Sequence, residues 1–204
     1  MSSSWDTSRR AFEDAAGWFV RTAALVGERW DEPGLGEWDV RALVGHTSRS
    51  FLTVEEYLAR PAATVEVASA AAYYRAIRGR TDGPAVAQRG RDAGAALGDD
   101  PAAAVAEIAA RVLPFVAACT GHELPTTLAG GMRLADYLPT RTFELVVHTC
   151  DLAVALGEPM NVPPTAAAQA LALASELAVA NGLAGPLLLA ATGRSGLPRG
   201  FSVL

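Results

Sequence analysis

The chain has 204 residues and a formal net charge of −5, with half of its residues hydrophobic and 19% charged. That is one domain's worth of polypeptide with ample material for a core. Its acidity argues against nucleic acid or an anionic membrane surface as the main partner. Alanine occurs 42 times, and all 17 basic residues are Arg with no Lys. Alanine is the best helix former, so the composition favours an α-rich fold. No run of 18 apolar residues occurs, and the opening MSSSWDTSRR lacks a signal peptide's apolar stretch, so the expected location is the cytoplasm. Two cysteines, Cys119 and Cys150, are too few for a disulfide scaffold and read as small buried residues in two apolar helices.

The first helix is predicted from Ser4 to Trp30, because Trp5, Phe12, Ala16, Phe19, Ala23, Val26 and Trp30 recur at three- and four-residue spacing. The loop DEPGLGEW ends it. Asp39 is a good N-cap for a second helix, which Pro61 stops after about Arg60 and which faces inward through Val40, Leu43, Val44, Phe51, Val54 and Leu58. Within 62–98, Val67, Ala71, Tyr74 and Ile77 suggest a short helix, and the Gly-rich stretch after it reads as a loop holding a weak helix. Asp100 and Pro101 mark the next start, with a kink expected at Pro114. From Met132 to Gly157 apolar residues surround the helix axis, which predicts burial on all sides, with Pro139 as a kink or a first turn. An Ala/Leu helix follows Pro163 and Pro164 and closes at Asn181-Gly182. The segment PLLLAATGR makes a shorter apolar element. No alternating strand pattern appears before the last few residues. The expected architecture is all-α, four main helices over residues 1–158 and a short, mainly helical extension over 159–204.

Winding residues 137–155 at about 100° each puts Arg141, Glu144, His148 and Asp151 within an arc of roughly 80°, with Tyr137 inside it. Burying such groups without partners is costly, so the stripe must be paired, hydrated or bound to something. Glu144 and His148, at i and i+4, can reach one point. A carboxylate and an imidazole make two thirds of a His₂Glu metal site, and an ordinary hydrogen-bonded pair is the plainer alternative. The third group must come from elsewhere. His46 lies early in the second helix at the margin of its apolar face, with Arg49 and Thr53 on the same side, and reads equally as a core-edge histidine. His122 lies in a Gly-flanked loop. Arg141 and Asp151 read equally as an ion-pair network around Glu144.

The segment Trp38-Asp39-Val40-Arg41-Ala42-Leu43-Val44-Gly45-His46, followed a hundred residues later by Arg141-Thr142-Phe143-Glu144-Leu145-Val146-Val147-His148-Thr149-Cys150-Asp151-Leu152, resembles the mycothiol-dependent maleylpyruvate isomerase family, of the DinB-like metal-binding four-helix bundles. The closing ATGRSGLPRGFSVL also resembles the tails of family members. The resemblance implies that His46, Glu144 and His148 hold a metal, Zn²⁺ first among the divalent ions. It implies mycothiol as thiol cosubstrate, deprotonated on the metal to attack an anionic small-molecule electrophile. Arg49, Arg141 and Asp151 are then candidates for orienting ligands or meeting substrate. The isomerase itself carries a sizeable C-terminal α/β domain, whereas only residues 159–204 follow the bundle here. That departure weighs against isomerisation of maleylpyruvate and toward a thiol S-transferase. The competing readings are a hydrolase or lyase using Zn-bound water, a non-haem Fe(II) site, and a non-catalytic metal-stabilised binding module, in a monomer or homodimer.

Overall fold

A computed structural model describes residues 4–79 and 84–204. Among the described residues there are eight α-helices and two very short hairpins, an all-α fold. The helices are α1 (Ser4–Ala23), α2 (Val40–Leu58), α3 (Ala70–Ile77), α4 (Pro84–Ala95), α5 (Pro101–Ala117), α6 (Leu134–Leu156), α7 (Pro164–Ala180) and α8 (Ala184–Ala191). The hairpins pair β1 (Pro33–Leu35) with β2 (Trp38–Asp39) and β3 (Thr126–Thr127) with β4 (Gly130–Gly131), both antiparallel. The sequence reading missed both, because strands of two or three residues are too short to show alternation. No described helix is long and apolar enough to cross a membrane.

Four helices make the bundle. α1 and α2 each pack against both α5 and α6, so α1 and α2 stand at opposite corners of a square. Their apolar faces meet across its centre, where Phe51 of α2 sits 5.9 Å from the Phe12 ring and 6.1 Å from the Phe19 ring of α1. α7 covers α1 and α6, α8 packs on α7, and α4 lies along α2. The predicted caps hold: Asp39 accepts from Ala42 N at 2.7 Å and Asp100 from Ala103 N at 3.0 Å. α5 runs on through Pro114 to Ala117, and α6 begins five residues before Pro139.

Two expectations are corrected. α1 stops at Ala23 rather than Trp30; i−3 hydrogen bonds at Leu25 and Val26 tighten the chain, Gly27 turns left-handed (φ 60°), and a 3₁₀ turn spans Arg29–Asp31. Val26 and Trp30 still pack on the core, so the apolar spacing outlasts the helix. α6 is not buried on all sides, since its neighbours α1, α2 and α7 leave a strip on which Val147 and Val154 are exposed. The helix expected inside the Gly-rich stretch is present as α4, 12 residues long, and glycine there serves close approach: a Cβ on Gly45 of α2 would sit 2.1 Å from Gly94 N, and one on Gly94 2.8 Å from Arg41 O.

Candidate metal centre

Because α2 and α6 are adjacent, side chains on their facing sides meet. His46 comes from the second turn of α2, and Glu144 and His148 from the middle of α6. One ligand atom from each of the three lies within 4.8 Å of the others. His148 Nε2 is 3.2 Å from Glu144 Oε2, and the His46 and His148 rings meet edge to face with centroids 5.0 Å apart. The three line a cavity of about 1020 Å³ between the bundle, α3, α4 and the C-terminal segment.

Every one of these groups is held from behind. Asp151 Oδ2 lies 3.1 Å from His148 Nδ1, which leaves Nε2 for the centre. Tyr74, fully packed on α3, donates its hydroxyl to Glu144 Oε1 at 2.6 Å and approaches Thr140 O at 3.3 Å. Trp38 stacks near His46 with centroids 4.5 Å apart, and its Nε1 donates to Ala87 O at 2.9 Å. Such outer partners fix ligand orientation.

The electrostatics separate the three. Burial lowers the His46 pKa, aided by the nearby His148, to about 4, so its imidazole is neutral, the form that binds a metal. His46 Nδ1 is also buried without a hydrogen-bond partner, a polar atom left over by the protein's own bonding. For His148 burial works against the charged form, yet its bonds to Asp151 and Glu144 prevail and lift it to about 9. Burial opposes ionisation of Glu144 too, but His148, Arg141 and Tyr74 hold its carboxyl down at about 2. Burial and the Glu144 charge push Tyr74 well above an ordinary tyrosine, so it remains a donor. A carboxylate, a neutral imidazole with an orphaned nitrogen and a second imidazole oriented by a carboxylate fit a divalent ion of the zinc type.

The other sequence candidates divide. Arg49 and Thr53 line the cavity beside His46. Asp151 bonds His148, not a network around Glu144. Arg141 corrects its ion-pair reading: it makes no ion pair with a described carboxylate, and its guanidinium lies beside the Tyr137 and Tyr73 rings instead, 5.0 and 5.7 Å from their centres. His122 is an exposed loop residue apart from the cluster. Cys119 lies just beyond the end of α5 rather than within it; both cysteines are half-buried, and burial raises their pKa, which keeps them as thiols. Tyr74 is the residue the sequence reading missed in this role.

A family model, the mycothiol maleylpyruvate isomerase N-terminal domain, matches residues 10–153. The chain belongs to that family. The matched segment of this mycothiol isomerase-type domain includes His46, Glu144, His148 and Asp151 and ends inside α6, before α7 and α8. Comparison with curated proteins and with solved structures gives no significant match.

Proposed function

We propose that the protein is a divalent-metal enzyme, zinc being the metal, that uses a low-molecular-weight thiol, mycothiol, as cosubstrate in S-transfer to a small electrophile or in a thiol-assisted isomerisation. The observation that carries the reading is the convergence of His46, Glu144 and His148 from two helices on one point of a large cavity. In this reading those three side chains are the ligands. Asp151 fixes the tautomer and ring orientation of His148, and Tyr74 holds the free oxygen of Glu144. When bound, the metal supplies the Lewis acidity that lowers the pKa of a coordinated thiol.

Among the described residues no fourth His, Cys, Asp or Glu joins the cluster. Structural zinc sites are closed by four protein ligands, and catalytic ones keep a position for water or substrate. The three-ligand set therefore favours an enzyme over a metal-stabilised binding module. Cytoplasmic location belongs to the same reading, and two free thiols suit a reducing compartment.

Metal analysis of the purified chain tests the ligands. About one divalent ion per chain is expected, lost in His148→Ala and kept in His122→Ala. Full metal content in His148→Ala would remove the assignment. Thiol dependence tests the chemistry: mycothiol should raise the melting temperature of the metal-loaded chain, as any ligand selective for the native state does. Consumption of an electrophile such as a chloronitroarene should require both metal and thiol. Consumption that proceeds with metal alone would favour metal-bound water and a hydrolase.

A further inference from the structure

The two C-terminal helices carry almost no charge: from Pro164 to Ala191 the one ionisable side chain is Glu176. α7 turns one side to the bundle, burying Ala166, Ala170, Leu173, Leu177 and Ala178. Its other side is apolar as well. At about 100° per residue, Ala168, Leu171, Ala172, Ser175 and Val179 fall within an arc of roughly 100°. All five are exposed, Leu171 by 67% and Val179 by 69%. An outer helix of a soluble domain ordinarily turns charged and polar groups to water, and this one does not.

α8 is the sharper case. Its sequence AGPLLLAA has no polar side chain, none of its eight residues is buried, and no side chain caps its start. Leu188 is 63% exposed and Leu189 46%. A lone helix shorter than about 12 residues is marginal in water, and helices in proteins are stabilised mainly by packing a face. α8 packs little within the chain, so its order calls for a surface outside it. It begins three residues past the end of α7 and packs on it, which sets its outer leucines beside the C-terminal end of the α7 strip. Leu171, Val179, Leu188 and Leu189, with the exposed small residues beside them, offer on the order of 600–800 Å², close to the roughly 800 Å² each partner gives to a stable interface. Single exposed leucines are ordinary; a charge-free patch of this size marks a contact surface.

We infer that the outer faces of α7 and α8 form one half of a symmetric dimer interface, covered by the same faces of a second copy of this chain with the two α7 helices antiparallel. The patch gives a charged partner or a lipid headgroup nothing to pair with, whereas a neutral apolar face is its own complement about a two-fold axis. A chain of net charge −5 is also repelled by an anionic membrane. An antiparallel contact centred on Ala172 keeps the two Glu176 carboxylates about 12 Å apart along the helix axis, beyond the roughly 10 Å screening length at 0.1 M salt. The same arrangement lays α8 of one copy against the start of α7 in the other. Leu177, Asn181 and Leu183, on the inner side of these elements, line the cavity, so pairing braces its C-terminal wall from outside. The inference needs neither the metal nor the thiol of the function proposed above.

Sedimentation equilibrium of the full chain is the test. Wild type should run at twice its 21.2 kDa mass at about 10 µM. Leu171→Glu sets a charge in the middle of the contact and should weaken self-association about a hundredfold or more, and Leu188→Glu about tenfold, with helical circular dichroism unchanged because both positions are exposed. Phe115→Glu, on α5 and 44% exposed, should leave the dimer intact. Ala172→Cys should be joined to its own copy by a short bismaleimide, and wild type, with Cys119 and Cys150 alone, should not be. A monomeric wild type at about 100 µM, a dimer that survives Leu171→Glu, or one lost in Phe115→Glu overturns the proposal. If Leu171→Glu fails to fold, the absence of cross-linking in Ala172→Cys overturns it instead. A monomer that floats with vesicles of phosphatidylcholine and phosphatidylglycerol overturns it too, and gives the face to a membrane surface.

Discussion

His46 and His148 reach the same point in opposite protonation states, and in the metal-free chain this makes stability depend on pH from two sides. His148 is raised from 6.5 to about 9 by its two carboxylates, so its contribution is complete below 6.5 and lost as pH climbs through about 9. His46 is depressed to about 4 by burial and by the cation beside it, so its contribution is complete above 6.5 and lost as pH falls through about 4. Denaturant unfolding of the stripped chain should therefore show greatest stability near pH 6.5 from this pair, falling by about 1–3 kcal/mol on either side. His148→Ala should abolish the alkaline limb and His46→Ala the acid limb down to pH 4. Glu144 adds its own loss only below 4.5, toward about 2. A flat profile, or an alkaline limb surviving in His148→Ala, would contradict the carboxylate clamp. Much of this clamp was legible in the sequence, since Glu144, His148 and Asp151 lie at helical spacings of four and three. Tyr74 was not legible as Glu144's partner. It lies 70 residues away along the chain, and a tyrosine on a short helix carries no mark of what its hydroxyl will meet.

Among the elements, the long helices could be read because each repeats its apolar side over many turns, and α4 was the weakest reading because its function runs through glycine. Helix propensity counts Gly90 and Gly94 against a helix by about 1 kcal/mol each, while tertiary packing demands them. A Cβ on Gly90 would lie 2.5 Å from the Trp38 indole, and Gly94 meets Gly45 backbone to backbone. The same contact leads to His46, the neighbour of Gly45, so the spacing of α4 from α2 helps set the position of a candidate ligand. Gly45→Ala should gain about 1 kcal/mol in propensity and lose more by forcing the helices apart, a net destabilisation of about 1–3 kcal/mol. Metal affinity should fall with it, although no ligand is altered. Urea unfolding and competitive chelator titration check both; a variant as stable as wild type with unchanged affinity would mean that α4 does not brace the centre. α1 shows the reverse case. There the apolar rhythm continued to Trp30 but the helix did not, because a turn through Gly27 can carry Val26 and Trp30 back onto the core just as well.

At the scale of the whole molecule, the cavity is assembled from two parts of the chain. The three candidate ligands, His46, Glu144 and His148, lie in the segment shared with the family, residues 10–153. One wall comes from beyond it: Leu177 and Asn181 at the end of α7, Leu183, and Ser202, Val203 and Leu204 of the final segment. That segment is anchored at one polar point, where Asn181 Nδ2 donates to Val203 O at 2.8 Å. On the function proposed above, the division assigns chemistry to the bundle and shape selection to the C-terminal wall, so the two should respond separately to mutation. Asn181→Ala removes one hydrogen bond, worth about 1 kcal/mol, and leaves every ligand and its outer partners untouched. Metal content and the His148 protonation profile should stay as in wild type. Amide exchange at residues 201–204 should quicken by about fivefold, and affinity for any ligand that spans the cavity should drop by a similar factor. Loss of metal in Asn181→Ala would show that the wall supports the centre itself; unchanged exchange would show that the tail is held by its apolar contacts alone.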